Sequence, residues 1–152
     1  MSLLLPLLGT AALVAAITAC SFAATTTGAS AERGRYLVEK IGLCWDCHSP
    51  RDEQGQFVLD KWLQGAPLPF APTIPMPWAP VSKPIAGLPG LSDEQALQFL
   101  TTGQLPDGRT PLPPMPSYRF SVEDARDVIA YLRQPIAPAS PAGPVADPAA
   151  HR

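Results

Sequence analysis

Apolar residues recur at helical spacing in three segments of the chain, residues 32–43, 92–102 and 121–134. The positions that define these stripes are Tyr36, Leu37 and Ile41 in the first segment, Ala96, Leu97, Phe99 and Leu100 in the second, and Val122, Ala125, Val128, Ile129 and Leu132 in the third. Ser92 and Gln95 have the spacing of a capping box, which places the start of the second helix. The pattern therefore predicts three amphipathic helices separated by two long connections.

Glycine and proline mark where these helices end and where no helix can form. Gly103 is placed to cap the second helix, and Pro135 stops the third. The chain has 20 prolines, many of them in residues 67–89 and 106–116, and each one removes a backbone donor. These two stretches are therefore predicted to be loops. Gly34 inside the first helix costs about 1 kcal/mol relative to Ala, which predicts a close crossing by another element.

The N-terminal 31 residues carry no charged side chain and contain an interrupted apolar run, which is typical of an export signal. Ile17-Thr18-Ala19-Cys20 resembles the lipobox of bacterial lipoproteins, in which the cysteine is lipidated. Two alternatives remain, cleavage after Ala31 and an uncleaved anchor. All three place the domain outside the cytoplasm, and the first predicts a periplasmic lipoprotein anchored to the membrane through Cys20.

The export signal and linker are thus assigned to residues 1–31, the folded domain to residues 32–134 and a disordered Pro/Ala-rich tail to residues 135–152. The charges nearly cancel, with 11 Lys and Arg against 13 Asp and Glu. This balance provides no excess of positive charge with which to bind nucleic acid, so we expect no nucleic-acid partner.

The sequence Cys44-Trp45-Asp46-Cys47-His48 holds the chain's most specific chemical signal. A structural zinc site needs four ligands, and beyond this motif the chain offers only Cys20 and His151. A thioredoxin-like redox pair needs a βαβ context, which the pattern does not predict. The pentapeptide fits covalent attachment of one c-type haem, with thioethers to Cys44 and Cys47 and with His48 as the proximal iron ligand. The remaining interpretation of the motif is a disulfide between the two cysteines or a coincidental cluster.

Further motifs carry a resemblance to a known family. They are Gly34 and Tyr36, Cys44-Trp45-Asp46-Cys47-His48, Pro113-Pro114-Met115-Pro116, and Ala130-Tyr131-Leu132 near the end of the last helix. With them the chain resembles a class I cytochrome c, the single-haem kind that accompanies periplasmic dehydrogenases and bacterial respiratory chains. The resemblance covers about residues 32–134. It implies a small all-α cytochrome c fold whose first and last helices cross beside the haem, with Gly34 and Tyr36 against the face of Tyr131 and Leu132.

The distal iron ligand is expected to be a methionine. His151 lies in the predicted tail, and Met1 belongs to the export signal. Met76 and Met115 are both flanked by prolines, which stiffen the loops that carry them. The resemblance implies Met115 because the family places its axial methionine shortly before the last helix. Met76 is the runner-up, with packing on the haem or on a partner surface as its more ordinary role.

The groups around these ligands are harder to predict. His48 should donate its other ring N–H to a backbone carbonyl, and Pro50 or a proline in residues 67–72 is expected to supply it. Trp45 and Asp46 are interpreted as exposed spacers of the motif. Candidate donors to the haem propionates are Trp62, Trp78 and Arg51.

With thiols, His48 and Met115 assigned, the iron has six ligands and no open position. We therefore expect an electron carrier that is not itself an enzyme, in an electron-transport chain of the periplasm or membrane. Its partners would be redox proteins, a dehydrogenase as donor and a cytochrome or oxidase as acceptor. The alternatives are a haem subunit fixed in a dehydrogenase or oxidase complex, and a ligand-binding haem enzyme or sensor if Met115 does not ligate the iron.

Overall fold

The computed structural model describes residues 28–135. In chain order its four α-helices are α1 (Ala31–Tyr36), α2 (Cys44–His48), α3 (Asp93–Thr102) and α4 (Val122–Arg133). A π-helical segment, Leu37–Ile41, continues α1, and a short 3-10 helix covers Leu59–Lys61. Within residues 28–135 there is no β-strand, only two isolated bridges, Arg51 with Phe57 and Pro67 with Val81. The fold is therefore all-α, as expected, and consistent with a small cytochrome c fold.

Some of the sequence predictions concern parts of the chain outside the described residues. The export signal with Cys20 and most of the predicted tail, including His151, belong to this group. Among the helices of residues 28–135, none combines the length and apolarity that a membrane span requires.

The predicted boundaries of α3 and α4 are confirmed by their caps. The Ser92 hydroxyl accepts from the Gln95 N–H while the Gln95 side chain accepts from the Ser92 N–H, which completes the capping box. Gly103 ends α3 in the left-handed conformation, with φ of 73°, a region that glycine adopts without penalty. The Ser121 hydroxyl accepts from the Asp124 N–H at 3.0 Å, so α4 also starts where the sequence predicts.

Gly34 lies where α1 crosses α4. A β-carbon at this position would overlap the backbone carbonyl of Asp127 and lie 2.9 Å from the β-carbon of Tyr131. The predicted close crossing is therefore confirmed, and the glycine is required by its neighbour's backbone. The buried positions beside it are Leu37 and Val38, whereas the Tyr36 side chain, expected on the same face, is 52% exposed.

A single apolar core joins the first and last helical segments to the long loop that follows α2. Its buried members are Leu37, Val38, Trp62, Leu63, Leu88, Ala96, Leu100, Ala125, Val128, Ile129, Tyr131 and Leu132. Leu63 is fully buried and has a positive φ of 58°. Because this loop contributes Trp62, Leu63 and Leu88 to the core, its path past α2 is fixed despite the lack of regular structure.

Candidate cofactor site

The Cys-x-x-Cys-His motif forms α2, a helix of one and a half turns. Leu43, with φ of 47°, makes a left-handed bend between the π-helical segment and this helix. Cys44 and Cys47 are half-buried free thiols, and the His48 side chain is buried. One helical turn therefore presents two thiols and an imidazole together, as the sequence predicts.

The electrostatics of the two thiols are unlike those of a reactive redox pair. Burial raises the pKa of Cys44 to about 11, and burial together with the neighbouring Asp46 carboxylate raises the pKa of Cys47. Thioredoxin-like motifs instead lower the pKa of the attacking thiol, because the thiolate is the nucleophile. The surroundings of Cys44 and Cys47 thus disfavour disulfide exchange as their function.

The His48 ring has one nitrogen fixed by the backbone. Its Nδ1 lies 2.6 Å from the carbonyl oxygen of Lys83, and a carbonyl can only accept. Nδ1 therefore carries the proton, and Nε2 keeps a lone pair that can bind a metal. Burial lowers the pKa of His48, which favours this neutral form. The expectation that Pro50 or a proline in residues 67–72 supplies the carbonyl is wrong, because the carbonyl that the loop brings to the His48 ring is that of Lys83.

Four further bonds fix the path of the same loop beside α2. The Gly65 N–H donates to the His48 carbonyl at 2.7 Å, and the Leu63 N–H donates to the Ser49 hydroxyl at 2.9 Å. Ser82 accepts from the Ala66 N–H at 2.8 Å and donates to the Cys47 carbonyl at 2.6 Å. These bonds place the Lys83 carbonyl at the ring, and none of them is evident from the identity of the residues.

Trp45 is not the exposed spacer that the motif suggests. Its indole N–H donates to the Glu39 carbonyl at 2.9 Å. Its ring stacks on Trp62, with centroids 5.4 Å apart and planes at 21°, and lies 4.5 Å from the ring of Phe57. Asp46 is exposed as expected and pairs with Arg51 at 3.2 Å. Of the two residues between the cysteines, Trp45 therefore anchors α2 to the core.

The loop that carries Met115 contacts the segment just before the cysteine motif. Met115 is half-buried, whereas the Met76 side chain is 43% exposed. The Ala79 N–H donates to the Pro113 carbonyl at 2.8 Å, which joins the loop of Met76 to that of Met115. Three residues after Met115, the Tyr118 hydroxyl donates to the Gly42 carbonyl at 2.8 Å.

The described residues offer groups that fit a haem. The Nε1 atoms of Trp62 and Trp78 are buried side-chain donors without a hydrogen-bond partner within residues 28–135, and leaving such donors unpaired is costly. A haem carries carboxylates that accept such bonds.

Arg51 is less available as a donor to the haem, since it bonds Asp46 and the Gly55 carbonyl and covers the Phe57 ring at 3.5 Å. Exposed apolar side chains beside the motif, Ile41 and Leu43, suit an apolar ring.

Part of this sequence is shared with two proteins that are named as cytochromes. The chain is 53% identical over 38 residues to a protein named diheme cytochrome c-type from Cereibacter sphaeroides. It is also 30% identical over 112 residues to the fructose dehydrogenase cytochrome subunit of Gluconobacter japonicus. The chain is similar to c-type cytochromes.

The extent of these similarities is limited. The first covers 25% of this chain and 13% of its relative, and the second covers 66% of this chain and 21% of its relative. The chain thus spans about a fifth, or less, of the length of the cytochromes it matches. No protein-family model matches the chain.

Proposed function

We propose that this chain is a cytochrome c that carries one haem and transfers electrons one at a time. The observation that carries the proposal is the bond between His48 Nδ1 and the Lys83 carbonyl. It orients a neutral imidazole with Nε2 free, directly after two half-buried thiols, and proximal haem ligands have this arrangement. The similarity to two proteins named as cytochromes supports haem-based electron transfer.

In this proposal Cys44 and Cys47 hold the haem through two thioethers, and His48 binds the iron from the proximal side. The sequence contains one Cys-x-x-Cys-His, which supports one haem in this chain, although a relative is named as a diheme protein. The raised pKa of both thiols suits groups that end as uncharged thioethers in an apolar surrounding.

Met115 is proposed as the distal iron ligand. Its half-buried side chain lies on a loop that Tyr118 fastens to the Gly42 carbonyl beside the motif, whereas the Met76 side chain is more exposed. A methionine opposite histidine leaves no open iron position and raises the reduction potential. When bound, such a haem supplies a one-electron couple between ferric and ferrous iron.

The donor and acceptor are proposed to be redox proteins, and the chain is proposed not to be an enzyme by itself. A fixed place in a dehydrogenase complex is the second candidate, because one relative is named as the cytochrome subunit of fructose dehydrogenase. We place the domain in the bacterial periplasm, anchored to the membrane through a lipid on Cys20. Purification from membranes followed by mass spectrometry of the bound proteins distinguishes a mobile carrier from a fixed subunit.

Haem attachment is the experiment that tests the proposed function. The protein is produced with a periplasmic haem-attachment system, then denatured and extracted with acid and organic solvent. Because thioethers survive this treatment, the haem should stay with the polypeptide, and the spectra of Cys44→Ala and Cys47→Ala should each show the loss of one thioether. Release of the haem from the unaltered protein into the solvent would overturn the proposal.

A further inference from the structure

Tyr118 joins two parts of the site that are far apart in sequence. Its hydroxyl donates to the Gly42 carbonyl at 2.8 Å across 76 positions, in a partly buried setting. Gly42 precedes Cys44 by two residues, and Tyr118 follows Met115 by three. A β-carbon at Gly42 would lie 3.1 Å from Sγ of Cys44 and 3.5 Å from the Tyr118 hydroxyl. The tyrosine hydroxyl therefore reaches the backbone immediately beside the first haem-binding thiol.

The rest of the Tyr118 side chain is held by its own segment. Its ring stacks on that of Phe120, with centroids 5.1 Å apart and planes at 12°. The Phe120 N–H in turn donates to the Leu100 carbonyl of α3 at 3.1 Å. The segment that follows Met115 is thus bound to α3 through Phe120. Through Tyr118 it is also bound to Gly42, just before Cys44.

We propose that Tyr118 is a positioning residue that holds the Met115 loop closed over the haem through its hydroxyl bond to the Gly42 carbonyl. The inference rests on the proposed function, since it takes Met115 as the distal ligand. An external ligand reaches ferric iron only after Met115 has left it. If that departure requires the loop to open, the Tyr118–Gly42 bond breaks in the same step, and its free energy opposes ligand entry.

The bond can be removed with little other change. Tyr118→Phe deletes one oxygen atom and keeps the ring that stacks on Phe120. The matched control is Tyr131→Phe, which removes another long-range tyrosine bond, the 2.7 Å contact with Glu39 between α4 and the π-helical segment. Both variants lose one hydrogen bond, but only the first loses a bond of the Met115 loop.

The experiment titrates the purified ferric holoprotein with imidazole and follows the absorption spectrum. A net hydrogen bond corresponds to roughly a threefold to tenfold change in an equilibrium constant. Tyr118→Phe should bind imidazole tighter by about this factor and lose the weak long-wavelength band of Met–iron ligation at lower imidazole concentration. Tyr131→Phe should bind imidazole as the unaltered protein does, while its global stability in denaturant falls.

Each outcome separates the inference from the proposed function. If the unaltered ferric protein lacks the Met–iron band, Met115 is not the ligand and the proposed ligation fails. If the band is present but Tyr118→Phe binds imidazole with unchanged affinity, the loop opens without breaking the bond and the inference is wrong. Equal tightening in both variants would mean general loosening of the fold, which also overturns it.

Discussion

The hydroxyl of Tyr131 donates a 2.7 Å hydrogen bond to the carboxylate of Glu39, 92 residues earlier in the chain. Both side chains are buried, and Arg35 approaches the same carboxylate at 3.2 Å. Glu39 belongs to the π-helical segment that leads into the cysteine motif, and Tyr131 belongs to α4. The contact therefore ties the last helix to the element that leads into the thiols proposed to bind the haem.

Replacement of Tyr131 by Phe should lower the free energy of unfolding by about 1–3 kcal/mol at neutral pH, because a buried carboxylate oxygen loses its donor. Burial and the Glu39 carboxylate raise the pKa of Tyr131 in the folded protein. An unfolded tyrosine ionises near pH 10, so above that pH the unfolded state binds fewer protons than the folded state. The free energy of unfolding of the unaltered protein should therefore decrease as the pH rises above 10, and Tyr131 should contribute up to ~1.4 kcal/mol of this decrease per pH unit.

Chemical denaturation of the holoprotein at pH 7 and at several values above pH 10 measures both effects. The difference between Tyr131→Phe and the unaltered protein should shrink as pH rises. Tyr36→Phe is the control, since that side chain is 52% exposed and should change stability by no more than about 0.5 kcal/mol. A constant difference across this pH range would show that the Tyr131 pKa is not raised.

Gly34→Ala should destabilise the protein by about 3 kcal/mol or more, because its β-carbon would overlap the Asp127 carbonyl and the helices would have to separate. Gly28→Ala is the matched control, since a β-carbon there meets nothing within 4 Å. Thermal and denaturant unfolding of the two variants should differ clearly. Equal stability would mean that α1 and α4 do not cross as closely as described.

Cys20→Ser tests the proposed lipid anchor. If Cys20 is lipidated, the mature protein should begin at this residue and carry a diacylglyceryl mass, and the variant should lose both features. Mass spectrometry of the N-terminal peptide from the membrane and periplasmic fractions decides the question. An unmodified N-terminus at Glu32 in the unaltered protein would favour simple secretion.

Local signals in the sequence are sufficient to predict the three amphipathic helical segments and to single out the Cys-x-x-Cys-His motif. Ser92 and Gly103 act through neighbours within the same helix, so their identity and spacing predict the caps. The Lys83 carbonyl cannot be predicted as the partner of His48, because every residue has a carbonyl and only the folded path of the loop selects one of them. The prediction that Trp45 is an exposed spacer is wrong for a similar reason, since Trp62 and Phe57 meet it only after the loop folds back.

The bond between Tyr118 and Gly42 is also not predictable from the sequence. The spacing of Tyr118 from Met115 is visible in the chain, but its partner is a backbone oxygen 76 residues away. Bonds of this kind depend on how proline-rich loops fold back, and their residues have no periodic pattern. Long-range backbone contacts around the site therefore require the structure.

The central claim is that Met115 is the distal ligand of the haem iron, and absorption spectra of two methionine variants test it most directly. Met115→Leu keeps the side-chain volume and removes the sulfur, while Met76→Leu is the matched control on the neighbouring loop. Met115→Leu should lose the Met–iron band of the ferric protein, lower the reduction potential and bind carbon monoxide in the ferrous state. Met76→Leu should leave all three unchanged. Loss of the band in Met76→Leu alone would reverse the assignment, and its retention in both variants would contradict methionine ligation by either residue.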